Sequence, residues 1–214
     1  MGTLYLIRHG QSEGNINGGF TGRMDYPLSA LGRKQAQMTA DFLCHEQIDA
    51  VLSSPLSRAY STALPIAKQR GLPILRREEL LEMDFGDWEG LTPKAVALKY
   101  PGAIDIWKNE LYKTACSGGE TMKECFARAK RAICTIAEEY ADKTVCAVSH
   151  GALLKNMLCF LHRLPVERIQ EISWANNASV TKLIYKNGAF QIEYENYSDH
   201  MGKYVTGVSS ELQK

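Results

Sequence analysis

The chain has 214 residues, 45% of them apolar and 23% charged, with a formal net charge of +1. That suits one globular unit with a real core and gives no electrostatic reason to expect a nucleic acid or an anionic membrane as partner. No apolar run approaches the roughly 18 residues that a membrane span needs.

The first element is a buried strand over residues 3–8, and it stops on Arg8-His9-Gly10. A glycine-rich loop leads to a helix starting near Ser29, with Leu31, Met38 and Phe42 on one face. Ala50-Val51-Leu52 is a second strand, and the helix after Pro55 carries Ala59, Ala63, Ile66 and Ala67. Leu72 to Leu75 reads as a third strand. Residues 84–120 are irregular and read as a cap over a substrate. Within them Thr92-Pro93 starts a helix that Pro101-Gly102 stops. Thr121 and Glu124 form a capping box before a long amphipathic helix. A strand over 144–149 again ends on His-Gly, at His150-Gly151, and a helix follows over 151–162. Two alternating strands joined by Asn187-Gly188 close the pattern, ahead of a polar, loosely ordered tail over 198–214.

Alternating strands and helices with continuously apolar strands predict an α/β fold: a mainly parallel central sheet with helices on both faces, in a single domain over 1–214. Ligands of such sheets bind beyond the carboxyl ends of the strands. Arg8, His9, Arg58, Glu82 and His150 all follow strands and can meet there. Two guanidiniums suit phosphate oxygens, a neutral imidazole can attack phosphorus, and a carboxyl can protonate the departing oxygen.

Two other readings compete at this level. Gly14 to Thr21 has P-loop spacing but carries Phe20 where the phosphate-binding lysine belongs. His9, His150 and Glu82 or Asp84 are metal-ligand types, although the neighbouring arginines oppose a cation. The six cysteines form no Cys-x-x-Cys pair and read as core thiols of a reducing compartment. With no secretory signal legible, the cytoplasm is the expected location, and the Asn177 and Asn196 glycosylation triplets are idle.

Leu6-Ile7-Arg8-His9-Gly10-Gln11-Ser12-Glu13-Gly14-Asn15 resembles the signature of the histidine phosphatase superfamily, the phosphoglycerate-mutase-like enzymes. Thr21-Gly22, Ser53 to Ala59, Glu82 to Gly90, Gly119-Glu120-Thr121 and Val148 to Gly151 follow in that family's order. The resemblance implies that His9 is the phosphorylated nucleophile and Glu82 the proton donor. Arg8, Arg58 and His150 would bind the phosphoryl group, with Asn15 and the Gly22 backbone contributing and Gln11 nearby. It implies no metal and no organic cofactor, a small phosphorylated metabolite as substrate, and a monomer or homodimer. Mutases of the family hold a substrate carboxylate with adjacent arginines past the acid, and here no arginine occurs between Arg77 and Arg128. A phosphomonoesterase is therefore favoured over a cofactor-dependent mutase, and over a phosphate-binding regulatory pseudoenzyme. Phe20, Met24, Tyr26, Phe85, Trp107 and Tyr112 are the expected walls of a leaving-group pocket.

Overall fold

The structure, a computed structural model, describes residues 1–208. Six strands form one sheet: β1 (Gly2–Arg8), β2 (Ala50–Ser53), β3 (Ile74–Arg76), β4 (Thr144–Ser149), β5 (Val180–Lys186) and β6 (Ala189–Tyr197). Their spatial order is β3-β2-β4-β1-β5-β6. The first four in that order pair in parallel, and the β5–β6 hairpin adds an antiparallel edge.

Each central strand is apolar on both faces because helices cover both. Tyr5, Ile7, Val51, Cys146 and Val148 pack toward α2 (Ala30–Phe42) and α3 (Ser57–Lys68). The alternate residues Leu4, Leu6, Leu52, Val145 and Ala147 pack toward α6 (Met122–Glu139) and α7 (Gly151–Leu161). This alternation is the period-2 rule acting on a sheet buried from both sides. The Thr121–Glu124 capping box forms as the sequence predicts.

Four expectations are corrected. The buried face of α2 is Gly32, Gln35, Ala36, Thr39 and Ala40, while Leu31, Met38 and Phe42 are only half-buried. Gln35 accepts from the Gln11 amide and Thr39 donates to the Ala178 carbonyl, so both polar side chains are satisfied inside. The 84–120 segment is less irregular than expected. It holds α4 (Pro93–Lys99) and α5 (Ala103–Asn109), and its Trp88, Trp107 and Leu111 join the main core. The 198–208 part of the tail is not loose. A 3-10 turn spans Asp199–Tyr204, and the Thr206 carbonyl accepts from the Asn177 amide at 2.8 Å. The remainder of that tail lies outside the described residues. Of the cysteines, Cys44 is exposed rather than in the core.

Candidate active site

Sheet register assembles the site. Arg8 sits opposite Ser149, so the chain leaves β1 at His9 beside the point where it leaves β4 at His150. The His9 amide donates to the Ser149 carbonyl at 2.9 Å, and the two imidazole centroids lie 5.1 Å apart. The turn after β1 runs close against the start of α2. A Cβ on Gly32 would lie 1.9 Å from the Gln11 carbonyl oxygen, so only glycine lets the two backbones approach.

His9 Nδ1 is 2.7 Å from the Gly10 carbonyl oxygen. A carbonyl can only accept, so Nδ1 carries the proton and Nε2 keeps its lone pair. Burial, followed by the Arg58 and Arg8 charges, holds the His9 pKa well below the usual imidazole value. A neutral ring with a free Nε2 results.

His150 Nε2 is 2.7 Å from the Ser54 hydroxyl, which itself accepts from the Leu56 amide at 3.4 Å. The Ser54 hydroxyl meets no other acceptor for its proton among the described residues, so it donates to Nε2 and leaves His150 with a proton on Nδ1. That Nδ1 is buried without a hydrogen-bond partner. Burial first, then Arg58, His9 and Arg8, lowers the His150 pKa as well.

Arg58 lies in the first turn of α3, where its own cap residue, Leu56, offers no side-chain acceptor. Asp25 supplies one from a distance, accepting from the Ser57 amide at 2.7 Å. The guanidinium donates to the carbonyls of Met24 at 2.7 Å and Gly22 at 2.6 Å. Arg8 donates through Nη1 to the Ala175 carbonyl at 2.7 Å. In both arginines Nε remains buried without a partner. Desolvation brings Arg8 down to about 10, still cationic at neutral pH.

Glu82 is anchored at the start of α7. Its Oε1 accepts from the Met83 and Leu153 amides at 2.9 and 3.0 Å, and its Oε2 from the Ala152 amide at 3.1 Å. The Asn15 carboxamide oxygen takes donors from the Ser12 amide and from Asn177 Nδ2, leaving Asn15 Nδ2 as the atom able to face a ligand.

A cleft of about 550 Å³, including its open mouth, lies over these groups. Arg8, Asn15, Glu82 and Gly151 are in its lining, whereas His9, Arg58 and His150 are buried and outside it. Gly22 takes part through its carbonyl, which holds Arg58, and not as a lining residue. The Gln11 side chain turns away to accept from the Ser29 hydroxyl at 2.8 Å. Among the expected pocket walls, Phe20, Phe85 and Trp107 line the cleft, but Met24, Tyr26 and Tyr112 do not. Gly14 to Thr21 forms no P-loop: it is a short helix, α1 (Glu13–Ile16), and a turn with Phe20 buried. Among the described residues, no group of three or more His, Cys, Asp or Glu side chains is arranged to hold a metal ion.

A family model for the histidine phosphatase superfamily, branch 1, matches residues 4–198. The chain belongs to the histidine phosphatase superfamily. Its relatives include phosphoserine phosphatase 1 of Hydrogenobacter thermophilus, 32% identical over 201 residues, which are 94% of this chain and 95% of that one. The glucosyl-3-phosphoglycerate phosphatase of Mycobacterium tuberculosis is 32% identical over 188 residues, 84% of each chain. Among solved structures, Bacillus stearothermophilus YhfR superposes with a TM-score of 0.89 at 30% identity, covering 94% of this chain and 99% of that one. The mycobacterial glucosyl-3-phosphoglycerate phosphatase in complex with inorganic phosphate gives 0.82 at 30% identity, with 94% and 99% covered. This superfamily member has cleft residues that sequence reasoning missed: Trp174, Gly207 and Val208. Trp174 stacks on Trp107 with centroids 5.7 Å apart, a pairing across 67 positions that no local pattern announces.

Proposed function

We propose that the protein is a metal-independent phosphomonoesterase that works through a phosphohistidine on His9. The observation that carries this is a neutral His9 with its Nε2 free, set among three buried groups that lack partners: Arg8 Nε, Arg58 Nε and His150 Nδ1. Each unpartnered buried donor is costly by itself, and a phosphoryl group would satisfy all three.

In the first step the His9 Nε2 lone pair forms a bond to phosphorus. The ester P–O bond breaks, and a protonated Glu82 gives its proton to the leaving oxygen. In the second, water attacks the phosphohistidine while Glu82 takes back a proton. The P–N bond breaks and orthophosphate leaves. The arginines and His150 hold the equatorial oxygens as charge builds, which is electrostatic stabilisation by preorganised donors. Two guanidiniums at the centre of the site favour this over chemistry at a bound cation.

Hydrolysis is favoured over phosphoryl transfer between hydroxyls. The first arginine after Arg77 is Arg128, and it is engaged by Glu120 and by backbone carbonyls, so it cannot clamp a substrate carboxylate. The named relatives are phosphatases as well. A non-catalytic phosphate binder would need neither a free His9 Nε2 nor Glu82.

The test is p-nitrophenyl phosphate hydrolysis in excess EDTA by wild type and His9→Ala. Turnover that survives EDTA and disappears in the variant is the expected result. Loss of the wild-type rate in EDTA would restore a metal mechanism.

A further inference from the structure

Once the phosphoryl group takes up Arg8 and Glu82, the lining of the cleft among the described residues holds no other charged side chain. The remaining wall is aromatic. Phe20 lies edge-on to Phe85 and Trp107, with centroids 5.2 and 5.1 Å away, and Trp107 stacks on Trp174. Val208 adds an aliphatic surface, and Thr21 and the Gly18-Gly19 backbone supply only neutral polar atoms.

We infer that this wall is a leaving-group subsite for phosphomonoesters of uncharged alcohols bearing a flat, aromatic group, and that it discriminates against esters carrying a carboxylate. The inference rests on the phosphomonoesterase reading and adds its substrate class. A ring placed against Trp107 and Phe85 gains edge and face contacts of the kind those side chains already make with each other. A carboxylate in the same position would lose its water and find, among the described residues of the lining, no cation beyond the Arg8 that holds the phosphoryl group. Lys108 and Lys155 do not supply that cation, because they line a second cavity that shares the two tryptophans. Lys155 is engaged there as well: its Nζ donates to the Ile172 carbonyl and lies 4.8 Å from the Trp174 ring centroid. Arg23 pairs with Asp84 at 3.1 Å and is not in the cleft lining. Phosphoserine and glucosyl-3-phosphoglycerate, which name the substrates of two relatives, both carry carboxylates. This chain is inferred to differ from them at this wall.

The experiment compares kcat/KM for benzyl phosphate, glycerol 2-phosphate, O-phosphoserine and 3-phosphoglycerate with the full chain. All four release alcohols, so leaving-group acidity does not mimic recognition. Benzyl phosphate should exceed both carboxylate esters by roughly 10- to 100-fold, with glycerol 2-phosphate between them. Trp174→Ala should erase most of that advantage, with kcat/KM for benzyl phosphate falling far more than kcat/KM for O-phosphoserine. Should that variant fold poorly, wild-type inhibition gives the same answer: benzylphosphonate should compete more tightly than methylphosphonate. Parity, or a preference for the carboxylate esters, overturns the subsite and leaves the phosphatase reading standing. If none of the four esters nor p-nitrophenyl phosphate is hydrolysed, the phosphatase reading itself fails.

Discussion

Arg128 donates to the backbone carbonyl of Glu82 at 3.1 Å and to that of Leu81 at 2.8 Å. The same guanidinium forks onto Glu120, with both contacts at 2.8 Å. Glu120 in turn accepts from the Asp84 amide at 2.9 Å, and its own amide donates to the Asp84 carbonyl at 2.8 Å. The segment bearing Glu82 is thus gripped from α6, and the Gly119-Glu120-Thr121 motif acquires a physical role. It is the socket for the arginine that positions Glu82.

If Glu82 supplies a proton to the leaving oxygen, displacing it should hurt poor leaving groups most. Arg128→Ala should slow benzyl phosphate turnover by roughly 10- to 100-fold and p-nitrophenyl phosphate turnover far less, a weaker copy of Glu82→Gln, for which roughly 10²- to 10⁴-fold is expected. Arg128→Lys should recover only part of the loss, because an ammonium cannot fork onto Glu120 while reaching the carbonyls. Equal slowing of both esters would reduce Arg128 to a general stabiliser of the fold.

Gly151 opens α7 beside Arg8 and Glu82 in the lining of the cleft. A Cβ there would sit 3.6 Å from Arg8 Nε and 3.8 Å from Glu82 Oε2, clear of collision but inside the cleft. Gly151→Ala should therefore leave thermal stability unchanged or slightly higher, since alanine is the better helix former by about 1 kcal/mol. Inhibition by orthophosphate should weaken by roughly 10- to 100-fold. Unaltered inhibition would show that the anion binds elsewhere.

The strand ends carried most of what was legible in the sequence. Arg8-His9 and Ser149-His150 terminate apolar runs, and parallel register then brings them side by side. Local chemistry also announced Thr92 and Thr121 as caps, because a cap depends on residues only a few positions away, and it set the start of α2 near Ser29, which proves to be its cap. Periodicity failed on α2, since it reports apolar surface and is blind to Gln35 and Thr39 finding partners far along the chain. Trp174 and Val208 were invisible for the same reason. Their place in the cleft comes from long-range packing, not from any motif around them.

Burial makes the site acid-sensitive. His9 and His150 have folded-state pKa values well below 6.5, with desolvation the leading cause in both. In the unfolded chain each titrates near the ordinary imidazole value of about 6.5, so below that pH the unfolded state binds protons that the folded state refuses. The contribution of the two rings to stability should be level above about pH 7.5 and should fall as the pH drops through 6.5, by up to about 1.4 kcal/mol per pH unit for each ring. Urea denaturation at pH 7.5, 6.5 and 5.5 measures this slope, and His150→Gln should make it shallower. A slope that His150→Gln leaves intact would mean that His150 is protonated in the folded protein.

Thr206 fastens the end of the described chain to the site. Its hydroxyl donates to Asn177 Oδ1 at 3.1 Å and accepts from Gln35 Nε2 at 2.9 Å. Asn177 Nδ2 meanwhile donates to the His9 carbonyl at 3.1 Å, so one side chain separates the tail from the turn carrying His9. Thr206→Val keeps the shape and removes the hydroxyl, which leaves a buried acceptor and a donor each one partner short. A loss of about 1–3 kcal/mol is expected, or roughly 2–10 °C in Tm for a chain of this size. Because Gly207 and Val208 line the cleft, the KM for benzyl phosphate should rise more than the kcat for p-nitrophenyl phosphate falls. If Tm drops while both kinetic constants hold, the tail is a structural strap only and the aromatic subsite is complete without it.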